Sequence, residues 1–474
     1  MNTLIRTFFV GYCVLFLMFA GCGGKNGAKL SGGYQTGGKD AGEVWLATYL
    51  LGKKVGYSVS KYERVSDGFR FSSLSRLTLG MMGKTQSVFS KSRVLTHPDL
   101  TLRSFEFEFS SQDGTFKASG VVNSGQLVIN TNKGKRVLQL TRQIYPIEAL
   151  GRVIVDEHPK PGEIRSYLTF DGTVLDTMPA TVEVLAREEL MGLSTLKLKV
   201  RRAKFDVVVW VDENGMTVKE ESPLGINSVR VTEREALAGE NGYTIDVLRF
   251  FAVPVDTIVD EPRRLRRVVL EVAGIDTTEF VLNSANQSVI GVSDSVILVS
   301  VVMPELLPVV RLPIQEEREF LKPTVSVQSD AELIKRKAKE IVGNTTDAID
   351  AARVLMKWVF SSLGKEAVAS IPNALGVLKN MKGDCNEHSV LYAALCRAVG
   401  IPAKVVVGLV YLDSAFYYHA WNEVYLKKWV PVDATFGEFP ANCLRLRLTE
   451  GELSQQAEVL SVVRRIRIRI REFN

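Results

Sequence analysis

Cysteine and histidine are scarce in this sequence, with five and four occurrences in 474 residues. The cysteines form no C-x-x-C pair, and no His/Cys cluster has the spacing of metal ligands. We therefore expect no metal, zinc included, and no cofactor. The net charge of +6 is small for this length, and no basic cluster accompanies a nucleic-acid-binding module. Nucleic acid is excluded as a partner.

Long apolar runs are also missing beyond the N-terminus. The composition, 46% hydrophobic and 24% charged, is that of an ordinary globular protein, and the length favours two or three domains. The part of the chain that follows the N-terminal segment is therefore expected to fold outside a membrane.

The N-terminal segment MNTLIRTFFVGYCVLFLMFAGC has one cation, Arg6, and then an apolar run that is short for a membrane span. Its end, FAGC, resembles the bacterial lipoprotein signal. The resemblance implies that residues 1–21 are a cleaved signal peptide and that Cys22 is lipidated; an uncleaved anchor is the alternative. The Gly-rich residues 22–42 are typical of a flexible tether. We expect an extracytoplasmic, membrane-anchored lipoprotein of the bacterial cell envelope.

Three cysteines remain after such processing, Cys385, Cys396 and Cys443. An odd number means that at least one is free or pairs between molecules. Whether Cys396 and Cys443 form a disulfide is left open, because the sequence does not give the distance between them.

Residues 43–245 are predicted to form an antiparallel β-rich domain. Short alternating runs such as LRSFEFEFSSQDG are separated by hairpin-type dipeptides, Asp67–Gly68, Asp113–Gly114 and Asn214–Gly215. A helix near Ile147–Val153 is weakly indicated. His97 and His158 lack any partner pattern and are expected in turns or on the surface.

A second, small β-rich segment is predicted at residues 246–325 from RRVVLEVAG, SVILVSVVMP and VVRLPIQ. At the other end of the chain, residues 451–474 contain VVRRIRIRIRE, whose period of two predicts a strand with one basic face. LRLRL at Leu444–Leu448 has the same pattern. We interpret both as solvated edge strands protected by charge, with contact to anionic lipid as the alternative.

Residues 326–450 change to a helical period. DAELIKRKAKEIVGN and TDAIDAARVLMKWVFSSLG predict two helices, a third begins near Cys385, and AKVVVGLVYL, HAWNEVYL and KWVPVDATF predict strands. The fold class is therefore α+β, with helices packed on an antiparallel sheet after β-rich domains.

Cys385 follows Asp384, a predicted N-cap, and Glu387 completes a capping box. The positive end of the helix dipole favours a thiolate there and predicts a lowered pKa of the Cys385 thiol. Cys396, later on the same helix, is expected to be a core residue. A nucleophilic Cys385 requires a base.

His419 is the candidate base, oriented by Asp433 on the next strand; His388 is interpreted as a helix-surface or supporting residue. A two-residue turn at Lys427–Lys428 would place His419 and Asp433 on opposite sheet faces. A three-residue loop or a bulge would pair Tyr425 with Trp429 and put both side chains on one face. We predict the longer connection. Trp421 and Trp429 are expected in the core.

The segments GDCNEHSVLYAALCRAVGIPAKVVVGLVY, YHAWNEVYL and WVPVDATFGEF resemble the transglutaminase-like superfamily of papain-like cysteine enzymes. The resemblance implies a catalytic triad of Cys385, His419 and Asp433 as nucleophile, base and orienting residue, and acyl transfer from an amide. It also implies that the backbone N–H of Cys385 is one oxyanion donor.

Hydrolysis of a peptide or amide bond is favoured, because bacterial members of the superfamily resemble proteases more often than cross-linkers. An amine-accepting transglutaminase is one alternative. A catalytically inactive envelope protein that binds a peptide or protein partner is another. The peptide or protein substrate and the oligomeric state are not indicated by the sequence.

Overall fold

The computed structural model describes residues 38–474 except for 82–83, 113, 132–133, 203–204, 223–224, 240–251, 279, 294–295, 307–308, 367–371, 452–458, 460–461 and 464. The predicted signal peptide, Cys22 and most of the predicted tether lie outside the described residues. The chain divides into two compact units, one within Tyr12–Asp246 and one within Val247–Asn474. Within the described part of the chain, no helix has the length and apolar character needed to cross a membrane.

The N-terminal unit is built on one continuous sheet. Its strands are β1 (Ala41–Leu50), β2 (Lys53–Val65), β3 (Gly68–Met81), β4 (Lys84–Thr96), β5 (Leu102–Ser111), β6 (Gly114–Asn123), β7 (Gln126–Thr131), β8 (Gly134–Gln139), β9 (Tyr145–Pro146), β10 (Ile164–Asp171), β11 (Asp176–Leu190), β12 (Leu193–Arg202), β13 (Phe205–Val211), β14 (Thr217–Glu221) and β15 (Ile226–Val231).

The spatial order is β8-β7-β6-β5-β4-β3-β2-β1-β15-β14-β13-β12-β11-β10-β9. Strand pairing is antiparallel except between β9 and β10. The first strand therefore lies inside the sheet, between β2 and β15. This confirms the predicted β-rich character of the N-terminal region.

Alternation of apolar and polar residues explains why one face of the sheet is buried. In β5, Phe105, Phe107 and Phe109 are buried, whereas Glu106 is exposed. The sheet curls so that Phe105 meets Phe170 of β10, with ring centroids 4.5 Å apart. The predicted hairpin turn at Asp67–Gly68 is present between β2 and β3.

Short helices accompany this sheet. A 3₁₀ turn, Ile147–Ala149, leads into α1 (Leu150–Asp156), which confirms the weakly indicated helix. Helix α2 (Glu233–Leu237) starts at a capping box made by Thr232 and Glu235. His97 and His158 are exposed, as predicted.

The C-terminal unit combines helices with two larger sheets. Its strands are β16 (Val253–Pro254), β17 (Arg267–Ala273), β18 (Gln287–Ser293), β19 (Val296–Val302), β20 (Gly364–Lys365), β21 (Lys382–Gly383), β22 (Ala403–Leu412), β23 (Ala415–Tyr425), β24 (Trp429–Val432), β25 (Arg445–Glu450) and β26 (Arg467–Phe473). Its helices in the described residues are α3 (Glu332–Val342), α4 (Ala348–Ser362), α5 (Ala374–Asn380) and α6 (Cys385–Ala398).

Helix α6 is the centre of this unit. Residues Cys385 to Cys396 are all buried, because α3, α4, α5 and the strands β22 and β23 pack around them. The amide of Asn422 in β23 donates to the carbonyls of Ser389 (3.0 Å) and Lys404 (3.1 Å), which ties the helix to the sheet. The predicted helices and the three predicted strands are confirmed, and Cys396 belongs to the core as expected.

The larger sheet of the unit has the order β16-β23-β22-β25, with β24 paired to β23. The second sheet, β18-β19-β17-β26, joins strands from the predicted segments 246–325 and 451–474. VVRLPIQ is not a strand: it contributes one isolated bridge, from Arg311 to Asp347. Pro313 within this segment lacks the N–H group that a strand ladder needs.

The two Arg-rich alternating segments differ. In β26, Ile468 and Ile470 are buried and the arginines are exposed at the sheet edge, as predicted. The interpretation of LRLRL as a solvated edge strand is wrong, because Arg445 and Arg447 of β25 are buried. Arg447 pairs with Glu423 at 3.1 Å, and Arg445 belongs to the site described next.

Candidate active site

The start of α6 is fixed by a capping box. The carboxylate of Asp384 accepts a hydrogen bond from the N–H of Asn386 (2.8 Å), and the N–H of Asp384 donates to Glu387 (3.1 Å). The predicted cap is confirmed. Gly383 allows this geometry, because a Cβ built on it would lie 2.2 Å from the Cβ of Glu387.

Cys385, the first residue of the helix, is fully buried and is not part of a disulfide. Burial, with the negative charge of Asp384 next, raises the pKa of the Cys385 thiol well above its ordinary value. A hydrogen bond with the backbone of Ala420 acts in the opposite direction without reversing the shift. The predicted lowering of the pKa is therefore wrong, since desolvation and nearby carboxylates outweigh the helix dipole.

The connection between β23 and β24 has the predicted length. Tyr425 pairs with Trp429, which leaves three residues in the loop, and Lys427 adopts a positive φ of 66°. Because of this register, His419 and Asp433 meet: the imidazole Nε2 donates to Asp433 Oδ2 at 2.7 Å. Both side chains are buried.

Asp433 is held by four donors. Besides His419, its Oδ2 accepts from Arg445 Nη2 (2.7 Å), and its Oδ1 accepts from the backbone N–H groups of Thr435 (2.9 Å) and Phe436 (3.0 Å). Burial would raise the pKa of Asp433, but the neighbouring His419 and Arg445 outweigh it and hold the pKa well below its usual range. The carboxylate is ionised and fixed in orientation.

Arg445 continues this arrangement as a chain of alternating charge. It pairs with Glu438 at 2.9 Å as well as with Asp433, and Glu438 pairs with the exposed Arg263 at 2.9 Å. The buried arginine is therefore compensated on both sides. Sequence reasoning missed Arg445 and Glu438, because alternation in LRLRL does not distinguish an exposed basic face from a buried one.

Aromatic rings surround the imidazole of His419. Phe436 stacks on it with centroids 4.8 Å apart, and the buried Trp421 lies near parallel to it at 6.1 Å. Trp421 is in the core, as predicted. Trp429 is half-buried and packs edge-on against Phe320.

His388 is not on the helix surface, so of the two interpretations only that of a supporting residue remains. Its side chain is fully buried, and its Nδ1–H donates to the carbonyl of Asp384 at 2.7 Å. Burial lowers the pKa of His388 to about 4, so the ring is neutral near pH 7. Cys396 and Cys443 are free thiols, which excludes the disulfide between them.

The structure thus brings His419 and Asp433 into direct contact and places Cys385 against Ala420, the residue after His419. Within the described ranges, no group of three or more His, Cys, Asp or Glu side chains is arranged to hold a metal ion. The arrangement offers a thiol, an oriented imidazole and an ionised carboxylate, which together suit nucleophilic chemistry at a carbonyl.

Residues 335–434 match the transglutaminase-like superfamily, and the chain carries a domain of this superfamily. The match contains Cys385, His419 and Asp433. An uncharacterised protein of Haemophilus influenzae is 25% identical over 179 residues, a match that covers 31% of this chain and 46% of that protein. The chain thus matches about half the length of this relative.

Solved structures that the chain matches include a candidate cysteine protease from Cytophaga hutchinsonii, with 15% identity, a TM-score of 0.28 and coverage of 44% of this chain and 86% of that one. A β-barrel-like protein of the domain of unknown function DUF1849 from Brucella abortus has 10% identity, a TM-score of 0.34 and coverage of 40% and 95%. A candidate protease from Parabacteroides distasonis has 11% identity, a TM-score of 0.21 and coverage of 73% and 69%.

Proposed function

We propose that the C-terminal unit is a cysteine enzyme that transfers an acyl group from an amide, and that it hydrolyses a peptide or amide bond. Cys385 is the nucleophile, His419 the acid–base residue and Asp433 the orienting carboxylate. The observation that carries this proposal is the buried 2.7 Å contact between His419 and an ionised Asp433, on the strand that faces the start of the Cys385 helix.

The raised pKa of Cys385 defines the first step. The resting thiol is neutral, so His419 takes its proton as the sulfur attacks the amide carbonyl carbon. The tetrahedral oxyanion collapses with cleavage of the C–N bond, and the imidazolium gives its proton to the departing amine. Water then attacks the thioester, which releases a carboxylic acid and regenerates the thiol.

The acceptor in the second half-reaction separates a hydrolase from a cross-linking enzyme. Water gives a free acid, whereas a primary amine gives a new amide of higher mass. Incubation with a peptide library, with and without a primary amine such as putrescine, followed by mass spectrometry distinguishes the two. Free acids as the main product in the presence of amine support hydrolysis.

The proposed nucleophile is tested with a thiol-reactive amide, iodoacetamide, at neutral pH. We expect selective alkylation of Cys385 in the wild type and loss of most of it in His419→Ala, because the base is gone. Cys396, on the same helix and in the core, is the internal control. Equal alkylation rates of Cys385 in the two proteins would contradict base activation.

The burial of Cys385 also favours one competing function, an inactive domain that binds a peptide or protein partner. In that case neither iodoacetamide nor any peptide would react at Cys385. A Cys385→Ala pull-down from envelope extracts separates the two functions: an enzyme variant retains substrates that wild type releases as cleaved products, whereas a binding protein retains the same intact partners in both forms.

We further propose that the protein is anchored to the bacterial envelope through lipid on Cys22, with both folded units outside the cytoplasm. The support is the sequence FAGC after a short apolar run. Metabolic labelling with a palmitate analogue tests it. Incorporation that persists in Cys22→Ala would contradict the proposal.

A further inference from the structure

Lys365 lies in β20, the short strand that pairs in parallel with β21 directly before α6. It is opposite Gly383, and the N–H of the next residue, Glu366, donates to the Gly383 carbonyl at 3.2 Å. Because Gly383 is two residues before Cys385, the backbone of Lys365 is fixed beside the start of the nucleophile's helix.

The side chain of Lys365 connects to the other half of the site. Its Nζ lies 3.6 Å from the centroid of the Phe360 ring. That ring lies against Gly437, where a built Cβ would be 3.0 Å from its carbon atoms. Gly437 follows Phe436, the ring that stacks on His419. Lys365 thus lies between the start of α6 and the segment that follows Asp433.

No carboxylate among the described residues lies within ion-pair range of the Lys365 ammonium, although its side chain is half-buried. The neighbouring Lys382 contrasts with it, since Lys382 pairs with Glu366 at 3.3 Å. Burial lowers the pKa of Lys365 and the charge of Asp433 acts against this, while the ammonium adds to the lowering of the His388 pKa. The charge of Lys365 therefore affects the pKa of a side chain inside the site.

We propose that the ammonium of Lys365 binds a carboxylate of the substrate, next to the amide that Cys385 attacks. The substrate class is then a peptide or amide with an acidic group close to the scissile bond. An ammonium whose contact among the described residues is an aromatic ring gains a charge-assisted hydrogen bond from such a group. Elsewhere around the sulfur, Asp384 and Glu387 repel an anion. This inference rests on the proposed function for the reaction itself.

Two alkylating reagents of nearly equal size test the charge selectivity without a known substrate. Iodoacetate is anionic and iodoacetamide is neutral, and in both cases the sulfur forms a C–S bond as iodide leaves. The measured quantity is the ratio of the two alkylation rates at Cys385, determined by peptide mass mapping. We expect Lys365→Gln to lower the iodoacetate-to-iodoacetamide ratio by about tenfold, and Lys365→Arg to retain it.

Lys382→Gln is the matched control, because Lys382 lies on the paired strand and already has a carboxylate partner. It should leave the ratio unchanged. A ratio that does not change in Lys365→Gln, or that falls equally in Lys382→Gln, would overturn the proposal. A general disturbance of the fold lowers both rates and leaves the ratio intact, so it counts against the proposal as well.

Failure of the proposed function gives a different result. The effect of His419→Ala on the iodoacetamide rate reports base activation, and the ratio in Lys365→Gln reports anion binding. Absence of any Cys385 alkylation by iodoacetate in the wild type, with alkylation by iodoacetamide intact, would overturn anion binding alone.

Discussion

Arg445 and Asp433 form a buried ion pair in which Nη2 lies 2.7 Å from the same carboxylate oxygen that accepts the imidazole hydrogen of His419. The proposed orienting carboxylate is thus shared between a base and a permanent cation. Glu438 compensates the arginine on its other side. The positions of these groups lead to testable expectations about both stability and activity.

Arg445→Met should destabilise the protein by about 3 kcal/mol or more, because it leaves Asp433 and Glu438 buried without their cation. Urea denaturation measures the free energy of unfolding. Arg469→Met is the control: Arg469 has a 63% exposed side chain and pairs with Glu271 at 3.5 Å, so its loss should cost at most about 1 kcal/mol. Equal losses in the two variants would contradict the assigned role of Arg445.

Arg445→Lys should keep the positive charge and therefore lose less stability than Arg445→Met. This variant can be used to measure the effect of Arg445 on activity. If the variant turns over a substrate, its maximal rate should fall because the lysine does not reproduce the fixed guanidinium contact that holds Asp433. The acidic limb of the pH–rate profile should stay close to that of the wild type, since the positive charge beside the His–Asp pair remains. A displaced limb with an unchanged maximum would argue against an orienting effect.

Asp433→Asn should change how stability depends on acid. The folded-state pKa of Asp433 is depressed, so its ionised form stabilises the fold fully above the unfolded pKa of about 3.9, and this contribution is lost as the pH falls below that value. The difference in unfolding free energy between wild type and variant should be largest near neutrality and shrink below about pH 4. A constant difference would be inconsistent with an ionised carboxylate.

His388→Gln tests the buried neutral histidine. The folded-state pKa is about 4 against an ordinary 6.5, so the unfolded chain takes up a proton in this interval and the folded protein does not. Wild-type stability should fall by roughly 3 kcal/mol as the pH drops from 6.5 to 4, and the variant should lack this component. His97→Gln, an exposed position, should retain the wild-type slope.

Gly383→Ala should disturb the start of α6, because the added Cβ would lie 2.2 Å from the Cβ of Glu387 and displace the capping box. We expect a loss of about 1–3 kcal/mol and slower alkylation of Cys385. Gly364→Ala, on the adjacent strand, has its nearest contact at 3.5 Å and should be tolerated. Comparable losses at both glycines would refute the steric explanation.

Local signals in the sequence were sufficient to predict much of the site. The Asp384 cap, the strand of His419, the strand that ends just before Asp433, and the pairing of Tyr425 with Trp429 all follow from residue spacing and from the need to place two side chains on one face. These features depend on neighbours in the chain, so periodicity and turn length report them.

Features set by tertiary burial were not predictable in the same way. The helix dipole alone favours a lowered pKa of the Cys385 thiol, but complete burial desolvates the thiolate and reverses the expected pKa shift. Arg445 and Arg469 stand in nearly identical Arg-Leu and Arg-Ile alternations, yet one is 3% and the other 63% exposed. The buried carboxylates of Asp433 and Glu438, which the fold brings against Arg445, distinguish the two arginines.

The position of β1 in the N-terminal sheet has a consequence for how that unit forms. One edge of β1 pairs with β2 across a short turn. Its other edge pairs with β15, which is synthesised well over a hundred residues later. Until then β1 presents an open hydrogen-bonding edge. Closure of the unit is therefore a late, non-local event, and we expect slow folding that completes only after the whole N-terminal unit has been synthesised.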